Sequence, residues 1–239
     1  MKKDEHMDEK TNGLSSETVK RYGSDAGASA VGIASSKDFD LAPDGFKPTD
    51  VLEGCSSVIV LGSPFPREAI LGDPDGYIDI RNAVNEKMNG IEKDVAKRIK
   101  SEGYKVKTIS GLGGKWVNGR SHGHISLKHA AELAGLGIIG KNYLLINPEY
   151  GTLLWFGAVL TDANLVPDEK AQYDLCNDCN ICIDMCPSKA LGDRASFGKE
   201  ECIGKMFKMV NKKWKINCFL CRKVCPHRFG IDPKLKIID

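Results

Sequence analysis

The sequence predicts an α+β protein in two modules, an alternation of strands and helices to about residue 165 followed by a compact unit in which side-chain ligands replace a hydrophobic core. Three observations predict it. Ser57–Leu61 (SVIVL) is a continuous, mostly β-branched run of the kind that fills a buried strand. Ile80, Val84, Met88, Ile91, Val95 and Ile99 recur at spacings of three and four, which places them on one face of a helix. Eight of the nine cysteines fall between Cys176 and Cys225, where that periodicity is lost.

The elements follow in order. Ser15 or Ser16 caps a short helix to about Ala28, and Val31–Ala34 reads as a short strand. Residues 42–54, with two prolines and two glycines, are a loop before the Ser57 strand, which ends at Pro64 and Pro66. The long helix stops at Gly103, and Tyr104–Ile109 alternates like a strand. A glycine-rich loop is expected over 111–123, a second helix over Ser126–Ala134, and two strands, 143–146 and 152–160, joined by the turn Asn147–Gly151. The expected division is a disordered tail over 1–14, an α/β module over 15–165, a linker over 163–171, the cysteine module over 170–232 and a tail over 233–239.

Bulk properties exclude several classes. The 239 residues are 41% hydrophobic, enough for a real core. A net charge of +2 supplies no global attraction to nucleic acid or an anionic membrane. No apolar run approaches the roughly 20 residues needed to span a bilayer, and the mixed-charge start, Met1–Lys10, has no apolar segment behind it. A cytoplasmic location is therefore expected, with no membrane partner. In that reducing compartment, dense cysteines argue for metal ligation rather than disulfides.

Cys176, Cys179, Cys182 and Cys186, followed by Pro187, form C-x2-C-x2-C-x3-C-P, the bacterial ferredoxin run in which the fourth cysteine serves the other cluster. The second half, Cys218, Cys221, Cys225 and Pro226, lacks its first cysteine, and Cys202 fills the gap. The crossing rule then gives one 4Fe–4S cluster to Cys176, Cys179, Cys182 and Cys225 and a second to Cys186, Cys202, Cys218 and Cys221. Two zinc sites with four thiolates each would also use eight cysteines, but the complete run with a proline after each final cysteine is far more specific for clusters. Cys55, next to a glycine and a buried strand, reads as a small core residue.

Gly135-Leu136-Gly137-Ile138-Ile139-Gly140 matches the dinucleotide fingerprint G-x-G-x-x-G, but a helix precedes it and a strand follows, the reverse of what a Rossmann turn requires. The glycines are expected to end the helix and admit a close backbone approach.

The segment AGLGIIGKNYLLINPEYGTLLWFGAVLTD, residues 134–162, followed by the cysteine frame, resembles the epoxyqueuosine reductases and, more distantly, the reductive dehalogenases. The stretch GASAVGIASSKDF and the later VLEGCSSVIVLGSPFP fit the opening of that family, so the resemblance runs over about residues 15–229. It implies a nitroreductase-like mixed α/β sheet module that holds base-off cobalamin, followed by a two-cluster bacterial ferredoxin-like module that supplies electrons to the cobalt. Gly135, Gly137 and Gly140 would face the corrin, with Lys141 and Asn142 at its polar edge. A flavin is the alternative occupant, since nitroreductase-like folds are best known for it.

Two departures stand out. In epoxyqueuosine reductases an aspartate ahead of the AGLG segment is the catalytic acid, and the matching position is Ser121, within Arg120-Ser121-His122-Gly123-His124. A serine hydroxyl is a poor acid near neutrality, so His122 or His124 would replace it. The sequence also ends at Asp239, with no counterpart of the helical-repeat extension that helps many of those enzymes bind transfer RNA. Transfer RNA is accordingly not expected as a partner. The expected partners are a low-potential donor such as a ferredoxin or flavodoxin, drawn by Lys205, Lys208, Lys212, Lys213, Lys215, Arg222, Lys223 and Arg228, and a small-molecule substrate or redox partner protein. Two functions are carried forward: a reductase passing electrons through two clusters to cobalamin, and a non-catalytic electron carrier or reductive activator of another redox or corrinoid protein.

Overall fold

The computed structural model describes residues 13–72, 74–117, 120–192, 197–210 and 213–231. The expected tails over 1–12 and 232–239, and Lys212, lie outside the described residues, as does the side chain of Lys213.

A helix, α1 (Ser16–Asp25), leads into strand β1 (Ala30–Ser35). Ser15 caps α1, its hydroxyl accepting from the Thr18 amide at 3.2 Å. A 3-10 turn and a short helix, α2 (Pro48–Val51), precede β2 (Ser57–Pro64). Next come α3 (Glu68–Leu71), the long α4 (Pro74–Ser101) and β3 (Val106–Ile109). Helix α4 starts before Ile80 because its first turns bury Tyr77 against aromatic neighbours rather than continuing the aliphatic stripe.

The expected loop over 111–123 contains a two-stranded hairpin instead, β4 (Lys115–Val117) paired with β5 (Arg120–His122). Glycines fit its bends: a Cβ on Gly114 would meet the His122 carbonyl at 2.2 Å. Helix α5 (Leu127–Leu133) is followed by β6 (Ile138–Ile139), β7 (Leu145–Ile146) and β8 (Leu154–Thr161). The two strands expected to form a hairpin part company. β7 pairs with β6, whereas β8 runs through the main sheet.

That sheet has the order β1-β2-β8-β3 and is antiparallel throughout. Every β2 residue from Ser57 to Ser63 is buried, as expected for a strand covered on both faces. Val19 of α1 and Met88, Ile91, Val95 and Ile99 of α4 pack on Ile33, Ile59, Leu61 and Val159 on one face. Ala130, Ala131 and Ala134, in and just after α5, pack on Val58, Val60, Ala158 and Leu160 on the other. Cys55 lies in this second layer, 4% exposed, its thiol pushed up to about 11 by burial.

The segment expected as a linker is laced to the sheet. The Ser57 hydroxyl donates to the Ala163 carbonyl at 2.8 Å, and the Asp168 carboxylate accepts from the Ile33 amide at 2.9 Å.

Beyond it, the cysteine region carries more regular structure than its lost periodicity suggested. It contains α6 (Ile181–Asp184), α7 (Lys199–Met206), the hairpin β9 (Phe207–Val210) with β10 (Lys213–Ile216), and α8 (Leu220–Lys223). The region docks on the first turns of α4 through a stack, Phe65 on Tyr77 at 5.6 Å and Tyr77 on Phe219 at 4.9 Å, and through an Arg222 to Tyr77 hydroxyl bond of 2.6 Å.

Candidate metal centres and the adjoining cavity

Each half of the cysteine frame folds as a loop, one short helix and a proline. Cys182 lies on α6 with Cys186 just beyond it, and Cys221 lies on α8 with Cys225 just beyond. Because α6 packs against α8, the cysteine that leaves each half arrives beside the other half. Cys176, Cys179, Cys182 and Cys225 line one small pocket. The Cys182 thiol is pushed up by burial first and then by the sulfurs of Cys176 and Cys179. The Cys225 thiol is pushed up to about 11 by burial and by the same three sulfurs, against a backbone N–H at His227.

The remaining four form a second group. Cys202 is pushed up by burial, Cys186 and Cys218. Cys221 is pushed up to about 12, by burial first and then by Cys202, Cys218 and Cys182, while Arg222 opposes. Burial would push Cys186 up too, but hydrogen bonds from Ser188, Leu191 and Ala190 outweigh it and leave its thiol below the usual range. Cys182 faces Cys221, so the two groups are neighbours. Among the described residues no three His, Cys, Asp or Glu side chains converge closely enough to hold a single metal ion. The first four thiols ring a space rather than meeting at a point.

The residues expected to face a corrin sit at the end of α5 and beside the first cysteine loop. Gly135 has φ +72°, and a Cβ on it would meet the Glu169 carbonyl at 2.3 Å. Gly137 has φ +149° and abuts the Ile146 carbonyl at 2.2 Å. Both end α5 and let it turn into β6. Gly140 lies against Cys176, with 3.4 Å between its ideal Cβ and the sulfur. Lys141 donates to the Asn177 carbonyl at 3.0 Å and to the Asn180 side chain at 2.9 Å, and Asn142 lines the first thiol pocket. Gly140, Lys141 and Asn142 thus stand beside the first cysteine loop.

His122, at the end of β5, stands 5.7 Å from the Phe46 ring and 3.4 Å from the Lys199 ammonium on α7. The side chain of Ser121 lies outside the described residues. His122 is not among the described residues that line the larger cavity described next.

That cavity, about 220 Å³, lies between the sheet module and α8. Its apolar walls come from Leu127, Leu144, Leu145, Leu154, Trp155 and Phe156. Lys128, Arg222, Thr152 and Gly111 complete it. Lys128 donates to the Tyr143 carbonyl, and its ammonium is held below the usual lysine range by burial first and then by Arg222. The Thr152 hydroxyl is buried and has no hydrogen-bond partner among the described residues. Sequence reasoning did not connect these residues: they come from five separated segments, and only the alternation along β8 gave any sign that its side chains face two environments.

An antiparallel sheet covered on both faces, carrying two neighbouring groups of four thiols, defines an α+β protein built around cysteine-rich centres. No family model matches the sequence. The chain is 35% identical over 120 residues to epoxyqueuosine reductase from Staphylococcus aureus, covering 46% of this chain and 31% of that protein. It is 27% identical over 203 residues to epoxyqueuosine reductase from Cyclobacterium marinum, covering 77% and 62%. The solved epoxyqueuosine reductase of Streptococcus thermophilus superposes with a TM-score of 0.59 at 21% identity, covering 92% of this chain and 68% of that one. A reductive dehalogenase structure, described as suggesting a mechanism for B12-dependent dehalogenation, gives 0.58 at 21% identity, covering 84% and 27%. The chain is epoxyqueuosine reductase-like, similar in sequence to those enzymes and in fold to them and to reductive dehalogenases. It spans less than two thirds of the length of these two curated relatives.

The comparisons correct one expectation. Transfer RNA was not expected as a partner, yet another structural neighbour, with a TM-score of 0.60 at 20% identity over 92% of this chain and 68% of that one, is an epoxyqueuosine reductase with an epoxyqueuosine-modified tRNA-Tyr stem loop. Net charge and the end of the sequence were poor guides, because contacts to an RNA loop depend on local surface rather than on the summed charge.

Proposed function

We propose that the chain is an iron–sulfur oxidoreductase that holds two 4Fe–4S clusters and passes electrons onward to a bound acceptor for reduction of a small substrate. The observation that carries this reading is the convergence of Cys225 with Cys176, Cys179 and Cys182, separated from it in sequence, around one pocket. This is the crossing that the two-cluster ferredoxin pattern requires. Cys186, Cys202, Cys218 and Cys221 hold the second cluster. Both sites fit the group on chemical grounds: four thiols each, largely shielded, with burial penalties that ligation to iron would relieve by deprotonating the sulfur outright.

Cobalamin is the candidate acceptor, and the relatives alone support it, because a cavity of about 220 Å³ encloses one substituted ring rather than a corrin macrocycle. When bound, cobalamin would supply a strongly reducing metal centre. The residues of the chain would position the substrate, exclude water with the Leu, Trp and Phe walls, and hold charge with Lys128 and Arg222. The substrate is proposed to bear a reducible carbon–heteroatom bond, as the names of both groups of relatives indicate.

The test is anaerobic reconstitution with iron and sulfide, followed by visible spectra with and without cobalamin. Turnover is then assayed on epoxyqueuosine-containing transfer RNA and on small organohalides. Two-cluster spectra with cobalamin-dependent turnover of either substrate support the reading. Cluster spectra without any cobalamin binding would leave an electron carrier.

A further inference from the structure

The two thiol groups differ in what surrounds them. Arg222 follows Cys221 directly on α8, and its guanidinium is held by the 2.6 Å bond to the Tyr77 hydroxyl. Lys128 of α5 donates to the Tyr143 carbonyl, and Tyr143 packs in one cluster with Cys186, Cys202 and Cys221. Burial leads in pushing up the thiols of Cys221 and Cys202, and the two cations oppose it, Arg222 at Cys221 and Lys128 at Cys202. Among the described residues neither cation forms an ion pair with a carboxylate, so no carboxylate offsets either charge before it reaches the sulfurs.

Hydrogen bonding differs in the same sense. Cys186 Sγ lies 3.5 Å from the Ser188 hydroxyl, and backbone N–H groups of Ser188, Leu191 and Ala190 also bond it. A sulfur that ligates metal is a thiolate, so it accepts from all of them. The first group has a plainer setting. Burial and neighbouring sulfurs dominate at Cys182 and Cys225, relieved by backbone N–H groups at Cys182, Ile183 and His227. Lys141 lines their pocket, but its bonds to Asn177 and Asn180 are exposed, where water and salt screen its charge.

An iron–sulfur centre gains negative charge on reduction, so nearby cations and hydrogen bonds to its sulfurs favour the reduced state and raise its potential. We propose that Lys128, Arg222 and Ser188 hold the cluster of Cys186, Cys202, Cys218 and Cys221 at a higher reduction potential than its neighbour, so that an electron entering the pair rests on it. Lys128 and Arg222 also line the cavity, so this is the group at the cavity's edge. A low-potential one-electron donor such as dithionite supplies the electron. The first group is left oxidised and the second reduced, with no bond made or broken and no proton moved. Lys128, Arg222 and Ser188 are positioning residues in this sense, acting through the sulfur ligands. The inference rests on the two-cluster reading of the cysteines.

The reconstituted chain is titrated with dithionite under potential control, each step is read by electron paramagnetic resonance, and iron is counted on the same samples. The signal of the half-reduced chain should differ from that of fully reduced Cys202→Ala, which keeps only the first group. Lys128→Met should lower the higher-potential step by at least about 59 mV, a tenfold change in its equilibrium constant, and leave the lower step in place. Lys128→Arg, which restores the charge, should return that step toward its original position. Ser188→Ala should lower the same step by a smaller amount. If Lys128→Met fails to hold iron, the half-reduced signal and Ser188→Ala decide. A half-reduced signal matching that of Cys202→Ala, or a higher step that neither Lys128→Met nor Ser188→Ala moves, would overturn the inference. With about eight iron per chain, either result would leave the two-cluster reading standing. About four iron or fewer, with one signal at full reduction, would remove that reading and the inference with it.

Discussion

The ammonium of Lys141 donates to the side-chain oxygen of Asn180 at 2.9 Å and to the carbonyl of Asn177 at 3.0 Å. One cation at the end of the β6 turn therefore closes the loop that carries Cys176, Cys179 and Cys182. Asn177 and Asn180 are surface residues; Asn177 also donates to the Asp174 carboxylate, and the backbone bond inside the loop, Cys179 to Cys176, is 3.3 Å long.

Lys141→Met should therefore loosen the first thiol group while leaving the second intact. The bonds are exposed, so global stability should fall by about 1 kcal/mol or less. Iron held by the first group should be lost to a chelator several-fold faster than in the unaltered chain. The measurement is the time course of the two cluster signals under chelation. Parallel loss of both signals would mean that Lys141 does not act on the first loop.

Cys202→Ala should remove one cluster and spare the other, because Cys202 alone fills the gap in the second half of the frame. Iron content should fall from about eight to about four per chain. Electron paramagnetic resonance of the reduced variant should lose the magnetic interaction expected of two neighbouring centres. Two undiminished clusters in the variant would refute the assignment of Cys202 as a ligand.

Glu92 sets a pH dependence of stability unrelated to the metal centres. It is 2% exposed between α4 and β8, one carboxyl oxygen has no partner, and burial pushes its carboxyl up to about 8 against a small opposing effect of Lys93. Between about pH 4.5 and pH 8 the folded chain keeps this proton while the unfolded chain has released it. Stability from this group is thus full at the acid end, falls as pH rises through that window by a few kcal/mol, and levels off above it. Glu92→Gln should flatten the curve, as read by chemical denaturation at pH 5, 6.5 and 8. An unchanged slope would place the titrating group elsewhere.

Gly157 on β8 lies directly under that carboxyl group. A Cβ there would come within 1.8 Å of a Glu92 oxygen and 2.9 Å of Met88 Cγ. Gly157→Ala should cost about 1–3 kcal/mol through overpacking. Adding Glu92→Ala should recover part of the loss, since it removes the nearer obstacle, and a double-mutant cycle measures the coupling.

The parts of the fold that were legible in the sequence are those whose signal is local. The β-branched run at Ser57 and the three-and-four spacing from Ile80 to Ile99 each report their own burial, and both became the elements they predicted. The cysteine frame was legible because ligand spacing is fixed by the geometry of the group held rather than by the surrounding fold. The hairpin over 115–122 was hidden by its glycines, which read as a loop although they make the close approach of Gly114 to His122 feasible. The pairing of β7 with β6 rather than with β8 is a tertiary choice, and the Asn147–Gly151 turn is compatible with either. The placement of Gly135, Gly137, Gly140, Lys141 and Asn142 followed from family resemblance, and resemblance does not say which neighbour a residue supports. The cavity could not be seen at all. Lys128, Thr152 and Arg222 meet only because the sheet, α5 and α8 are packed together.

The account stands on the claim that the eight cysteines hold two cubane clusters. The most direct measurement is the metal and acid-labile sulfide content of the anaerobically reconstituted chain, with Mössbauer spectroscopy of an iron-57 sample. The account predicts about eight iron and about eight sulfide per chain, in the spectrum of 4Fe–4S centres. About two zinc per chain with no sulfide, or four iron or fewer with all eight cysteines intact, would contradict it.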